Sequence, residues 1–153
     1  MPFTPPATYP SKATTGYEAQ FETGAGSPVT YTAVLEVKSF TNNMAEVPEV
    51  AISHLLSPNN TEEMIPGMIK PGTIEVGGNF IGDATQLNFT TLMQNQTVFP
   101  FKVLANVQQS AKTYTLTGQG FIKNYKNGPF ENNKPVEFSV QVQMTGTYTE
   151  TVA

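Results

Sequence analysis

Along most of this chain apolar and polar residues alternate with a period of two. The cleanest run is Val136 to Tyr148, where Val136, Phe138, Val140, Val142, Met144 and Tyr148 face one way. Glu137, Ser139, Gln141, Gln143, Thr145 and Thr147 face the other. That period predicts a long strand with one buried face. Val29 to Phe40 predicts a second, with Val29, Tyr31, Ala33, Leu35 and Val37 on the core face and Val34 as the apolar exception. Tyr17–Glu22, Thr73–Ile81 (Ile74, Val76, Phe80), Val98–Val107 (Phe99, Phe101, Val103, Ala105) and Lys112–Tyr125 (Tyr114, Leu116) predict further strands. Pro100 marks an edge strand or a bulge, and the period slips at Gly118-Gln-Gly120, a bulge signal. One helix fits, Ala84–Gln94, with Asp83 as N-cap and Leu87, Leu92 and Met93 near one stripe. These elements predict a mainly β fold: a β-sandwich-like or rolled barrel with one flanking helix.

The connections are as informative as the strands. Met1 to Gly16 carries Pro2, Pro5, Pro6 and Pro10 and reads as an extended N-terminal arm, a loose terminus or one docked on a neighbour. The β domain spans 17–148, and 149–153 reads as a C-terminal tail. Thr41 to Pro66 is a long inter-strand loop with an extended piece, Val50–Leu56, between Pro48 and Pro58, and a turn at Asn59-Asn60-Thr61. Loops this long in a compact domain are functional or docked on something. The return segment Met64–Thr73 holds two Pro-Gly corners, Pro66-Gly67 and Pro71-Gly72. Proline fixes φ and glycine permits φ > 0, so the loop is stiff and shaped. Long strands also leave edges to hide, which sheet-to-sheet self-association would do.

Composition narrows the chemistry. The 153 residues suit one domain with a real core. Cysteine and tryptophan are absent, all eight basic residues are lysines, and net charge is -4. A chain without arginine forks or a basic face does not read DNA sequence. Charged residues are 13% of the chain, about half the usual ~25%. Such a surface is solvated by neutral polar groups or covered by partners, and the second fits better. The hydroxyl and amide walls of the strands are a solvated sheet face or a non-adhesive lining along which something slides.

Catalytic and cofactor motifs are missing. His54 is the only histidine and Asp83 the only aspartate, too few for a triad or a zinc site. Glu62-Glu63 are adjacent and cannot flank a glycosidic bond. Gly77-Gly-Asn-Phe-Ile-Gly82 is not followed by Lys and Ser/Thr, and Gly118-Gln-Gly120 lacks the third glycine of a dinucleotide fingerprint. We expect no enzyme, no cofactor and no metal. The Asn-x-Thr triplets at Asn59, Asn88 and Asn95 arise easily in a chain this rich in Asn and Thr. Met1–Pro6 lacks the basic start and apolar run of a secretion signal, and no stretch is apolar enough to span a membrane.

The order of parts resembles a known family. A strand ends in Glu36-Val-Lys-Ser-Phe40, and a long loop returns through Met64-Ile-Pro-Gly-Met-Ile-Lys-Pro-Gly72 into Thr73-Ile-Glu-Val-Gly-Gly-Asn-Phe80. After one helix come Phe99-Pro-Phe-Lys-Val103, Gly120-Phe-Ile122 and the closing run from Val136 to Gly146. From about Tyr17 to Gly146 this is similar to the major tail tube protein of long-tailed bacteriophages. The family often has an acidic pair before the closing strand, where this chain has Asn132-Asn133. The resemblance implies hexameric rings, with sheets joined edge to edge around a pore, stacked into the tail tube that conducts double-stranded DNA at ejection. It implies a virion protein assembled in the bacterial cytoplasm, with itself, a tape measure, a tail terminator and a baseplate or tip as partners. Met44, Val50, Ile52, His54, Leu55, Met64, Ile65 and Met68 of the loop would form the subunit interface, and Gln141 and Gln143 the lumen lining. The N-terminal arm and the C-terminal tail would be further contacts. A neutral or acidic lining suits DNA passage, since fixed cations would grip phosphates. The alternatives are the tube of a bacterial secretion or contractile injection machine and, in another class, a glycan-binding β-sandwich. Such a module would display exposed aromatics, whereas Tyr31, Phe80, Phe99, Phe101 and Phe138 fall on apolar faces.

Overall fold

A computed structural model of the chain describes residues 19–108 and 111–153; the expected N-terminal arm, 1–16, lies outside them. Seven antiparallel strands form one sheet in the order β2-β1-β7-β8-β9-β6-β3. They are β1 (Gln20–Ala25), β2 (Thr30–Ala33), β3 (Val37–Asn43), β6 (Thr73–Asn79), β7 (Phe99–Val107), β8 (Lys112–Asn127) and β9 (Glu137–Val152). The short β4 (Glu49–Ala51) and β5 (Met64–Pro66) pair only with each other in a second, two-stranded sheet. The helix α1 is Ala84–Gln94, as its pattern predicts. Asp83 caps it, accepting from the Thr85 N–H at 3.0 Å and the Thr85 hydroxyl at 2.8 Å. Those bonds, the backbone one first, hold its carboxyl below the usual carboxylate range.

The edge strands β2 and β3 are consecutive in the chain, joined only by Val34-Leu35-Glu36. Three residues cannot span a flat seven-stranded sheet, so the sheet rolls. The long strands make the roll. The first part of β8 pairs with β7 and the first part of β9 pairs with β6, while the second half of each pairs only with the first half of the other. Register shifts at Thr117/Gln119 and Ile122/Asn124 bend β8 where it crosses between leaves. No ladder joins β2 to β3 among the described residues, so the fold is sandwich-like with an open seam.

The core lies inside the roll. Phe21, Ile74, Val76, Phe99, Phe101, Val103, Leu116, Phe138, Val140, Val142 and Met144 are buried, the faces their alternation marks. Phe89 on α1 enters between the leaves, its ring 6.4 Å from Phe21, 6.3 Å from Phe138 and 6.0 Å from Tyr125. Such tilted aromatic contacts add to simple area burial.

Several expectations change. The single strand Val29–Phe40 is two strands, because Glu36 turns the chain with φ 60°. Tyr31, Ala33 and Val37 are half-buried, but at the turn Val34 is buried and Leu35 exposed, and Val29, ahead of β2, is exposed too. On α1, Leu92 and Met93 pack against the core, but Leu87 is exposed and the buried residues are Gln86 and Phe89. Pro100 lies in an interior strand, one residue past the last β1 pair, Thr23↔Phe101, where that ladder has ended. Residues 149–152 are no tail: they continue β9, and Ala153 exchanges backbone bonds with Thr113 at 2.9 and 3.1 Å.

Candidate subunit interface

Between Asn43 and Thr73 the chain leaves the sheet as an arm. Its base is closed by Glu46 and Lys70, which exchange backbone bonds of 2.9 and 2.8 Å. The corners expected from Pro-Gly chemistry are real, but neither glycine adopts positive φ. Close approach favours them instead. At Gly67, whose N–H donates to Pro48 O at 2.7 Å, a β-carbon would crowd Pro48 O at 3.0 Å and Val50 at 3.2 Å. At Gly72 a β-carbon would run into the backbone carbonyls of Asn43 and Met44. The chain re-enters the sheet there because glycine lets two backbones touch.

Beyond the base, β4 and β5 pair through Glu49↔Pro66, Val50↔Ile65 and Ala51↔Met64, all six residues exposed. Nine of the seventeen large apolar side chains left exposed among the described residues lie between Val47 and Ile69. Leu55 is fully exposed, Leu56 86% and Met68 87%. Clustered exposure of this kind marks an interaction surface. Of the eight residues expected at an interface, Val50, Ile52, His54, Leu55, Met64, Ile65 and Met68 are exposed on the arm. Met44 is half-buried and packs against the core below the base. Val47, Leu56 and Ile69 belong to the same surface; their exposure was hidden because three isolated aliphatics carry no period.

The arm tip is knotted by polar groups. The Ser53 hydroxyl accepts from the Glu63 N–H at 2.7 Å, and the Ser57 hydroxyl accepts from the His54 N–H at 2.9 Å. The Ser57 hydroxyl donates to Glu63 Oε2 at 2.6 Å, and His54 Nε2 lies 3.4 Å from that oxygen. His54 Nδ1 accepts from the Leu56 N–H at 3.1 Å. Serine and histidine thus share one carboxylate; the hydroxyl does not point at the imidazole, as nucleophilic activation would require. The knot fixes the loop that presents Leu55 and Leu56. Asn59 and Asn60, at φ 53° and 54°, turn the chain beside it.

Charge is distributed unevenly. Residues 44–69 hold Glu46, Glu49, Glu62 and Glu63 and no lysine, as much negative charge as the chain's net -4; Lys70 follows at the arm's base. The rest balances to zero.

Gln141 and Gln143 lie on the polar face of β9, half-buried. Gln141 Nε2 donates to Glu75 at 3.3 Å; Gln143 Nε2 donates to the Pro71 and Gly72 carbonyls, both at 3.1 Å. Gln143 therefore also anchors the re-entry corner of the arm. No group of three metal-ligating side chains occurs among the described residues, and no described helix is long and apolar enough to cross a membrane.

No protein-family model matches the chain, and no curated protein matches it in sequence. Solved structures do match its fold. The chain is similar to one from the tail of an empty gene transfer agent particle refined with C6 symmetry, at TM-score 0.72 and 13% identity, covering 91% of this chain and 99% of that one. It is similar to a chain of the SPP1 tail tube, at TM-score 0.61 and 18% identity, covering 89% and 77%. It is also similar to a chain of the sheath-tube complex of PVC, an extracellular contractile injection system, at TM-score 0.66 and 10% identity, covering 90% of each. The fold expected from the order of strands, loop and helix is thus the fold of tail and injection-machine proteins.

Proposed function

We propose that this protein is a structural, non-enzymatic subunit that assembles into stacked hexameric rings and forms a phage tail tube, the conduit for DNA at ejection. The observation that carries the reading is the arm: a shaped, acidic, apolar excursion on a fold shared with a C6-symmetric tail. An isolated domain gains nothing by exposing Leu55, Leu56 and Met68 on a loop stiffened by hydrogen bonds; a subunit that buries them in a neighbour does. The arm residues named above make the intersubunit contact, and the polar face of β9 with Gln141 and Gln143 faces the lumen. Double-stranded DNA passes without specific binding, and the tape measure, terminator and baseplate or tip complete the tail. The protein resides in the virion tail after assembly in the host cytoplasm.

A second reading, the tube of a contractile injection machine, draws on the likeness to the sheath-tube complex of PVC. Negative-stain microscopy of the purified protein at high concentration tests both against a monomeric binding module. Rings or tubes with a central hole support the tube; a monodisperse monomer that binds sugars rules it out. Carriage within a DNA-filled particle rather than a DNA-free machine separates the two tube readings.

A further inference from the structure

The polar knot at the arm tip contains the chain's one histidine, and its hydrogen bonds assign the proton on the ring. His54 Nδ1 accepts from the Leu56 N–H at 3.1 Å, so the neutral imidazole carries its proton on Nε2. That nitrogen faces Glu63 Oε2 at 3.4 Å. The ring is therefore an acceptor on one side and a donor on the other. It links the turn that presents Leu55 and Leu56 to the returning chain.

The carboxylate is held in place. The Glu63 N–H donates to the Ser53 hydroxyl at 2.7 Å, the Glu63 carbonyl accepts from the Ile52 N–H at 2.9 Å, and Oε2 accepts from the Ser57 hydroxyl at 2.6 Å. Leu55 and Leu56 lie in solvent, so packing within the subunit does not hold the turn to the ring. The charge facing the imidazole is Glu63. Glu62 precedes it, residues 50–53, 55–61 and 64–66 carry no charge, and Glu49 sits at the start of β4, across from Pro66.

A second proton on the ring must enter at Nδ1. There it would point at the Leu56 N–H, and two donors cannot share a hydrogen bond. On the other side the positive ring is drawn more strongly to the Glu63 carboxylate. Acid thus breaks one link and tightens the other.

We propose that His54 is a pH-sensitive latch on the arm tip. Neutral, it closes the Leu55-Leu56 turn; protonated, it releases the Leu56 N–H and stays with Glu63. The Ser57 N–H still donates to His54 O at 3.0 Å in either state, so the latch loosens the tip without unfolding the arm. The device is complete within one subunit and does not depend on what the arm meets.

Amide exchange with solvent tests the latch, read by NMR on the full chain below the concentration at which it assembles. Protection of the Leu56 amide is followed from about pH 7.5 to 5, the range in which histidine changes charge, and corrected for the intrinsic pH dependence of exchange. The single imidazole is followed in the same samples. Leu56 protection should fall about fivefold, the worth of one ordinary hydrogen bond, along the titration of the ring, while amides of β8 and β9 stay unchanged. His54→Asn puts an acceptor that cannot be protonated at the δ1 position, where asparagine bonds the N–H two residues on; it should keep Leu56 protected throughout. His54→Ala should leave Leu56 unprotected throughout. Glu63→Gln should move the transition to lower pH, because the anion that favours the charged ring is gone. Leu56 protection that does not change across the range, or that falls in His54→Asn as it does in the unmodified protein, overturns the latch.

Discussion

Gln86 donates its side-chain N–H to the carbonyl of Leu35, 2.9 Å away and fifty-one residues earlier in the chain. The same amide donates to Asn79 O at 2.8 Å, while its oxygen accepts from Ile81 N at 2.9 Å and Gly82 N at 3.2 Å. One fully buried glutamine therefore satisfies four backbone groups where β2 turns toward β3 and β6 leads to α1. Those are the places where the roll has no ladder of its own.

Gln86→Ala should unfold at lower urea concentration with an unchanged slope, a loss of roughly 2–4 kcal/mol, because buried donors and acceptors lose their partners together. Gln86→Glu keeps the acceptor but loses both donors, and should be destabilised nearly as much at neutral pH. A shift below about 0.5 kcal/mol in both variants would show that water replaces the amide without cost.

Gly72→Ala should be more damaging than its small volume suggests. Backbone carbonyls of Asn43 and Met44 occupy the space a β-carbon would take, and backbone cannot rotate away as a side chain can. We expect a loss of about 2 kcal/mol or more, read as a lower melting temperature. Gly82→Ala is the contrast: nothing lies near its β-carbon, and the strain comes from φ 71° alone, so the cost should be about 1 kcal/mol.

Strand faces were legible where one face is buried throughout. Phe138, Val140, Val142 and Met144 are core residues by alternation, and by burial. The failures have local causes. Val34 breaks the alternation because the chain turns at Glu36, and a residue at φ 60° that is not glycine leaves no mark in the sequence. Phe89 and Gln86 were missed on α1 because a glutamine with four internal partners looks like a surface residue in any hydrophobic pattern. The arm was visible from its length and its Pro-Gly corners. Its acidity is also written in the sequence, as Glu46, Glu49, Glu62 and Glu63 with no lysine between 44 and 69.

Stability at high pH should depend on Tyr114. Burial first, and then the hydrogen bond of 2.8 Å to Glu150, push its phenol up to about 12 from 10.0. Above pH 10 an unfolded chain releases this proton while the folded chain retains it. The contribution is therefore complete below pH 10 and is lost as pH rises toward 12. The urea midpoint of the unmodified protein should fall more steeply between pH 10 and 12 than that of Tyr114→Phe. Parallel curves would show that the β8–β9 end opens before the phenol titrates.

Removing the arm separates folding from assembly. Asn42 and Asn43 pair with Ile74 and Thr73 inside the sheet, so a deletion that begins at Asn42 would cut β3. The clean excision replaces residues 47–69 with a two-residue Asn-Gly turn between Glu46 and Lys70, whose mutual backbone bonds already have hairpin geometry. The core residues are untouched, and Met44 keeps its packing below the base. The shortened chain should fold with native near-ultraviolet dichroism and a melting temperature within a few degrees of the full chain. It also loses Glu49, Glu62 and Glu63 and nine exposed apolar side chains, so it should stay soluble at concentrations where the full chain assembles. Electron microscopy should then show no tubes. If tubes of normal length grow from this variant, the arm's exposed leucines have no part in assembly, and the sheet edges β2 and β3 alone must join the subunits.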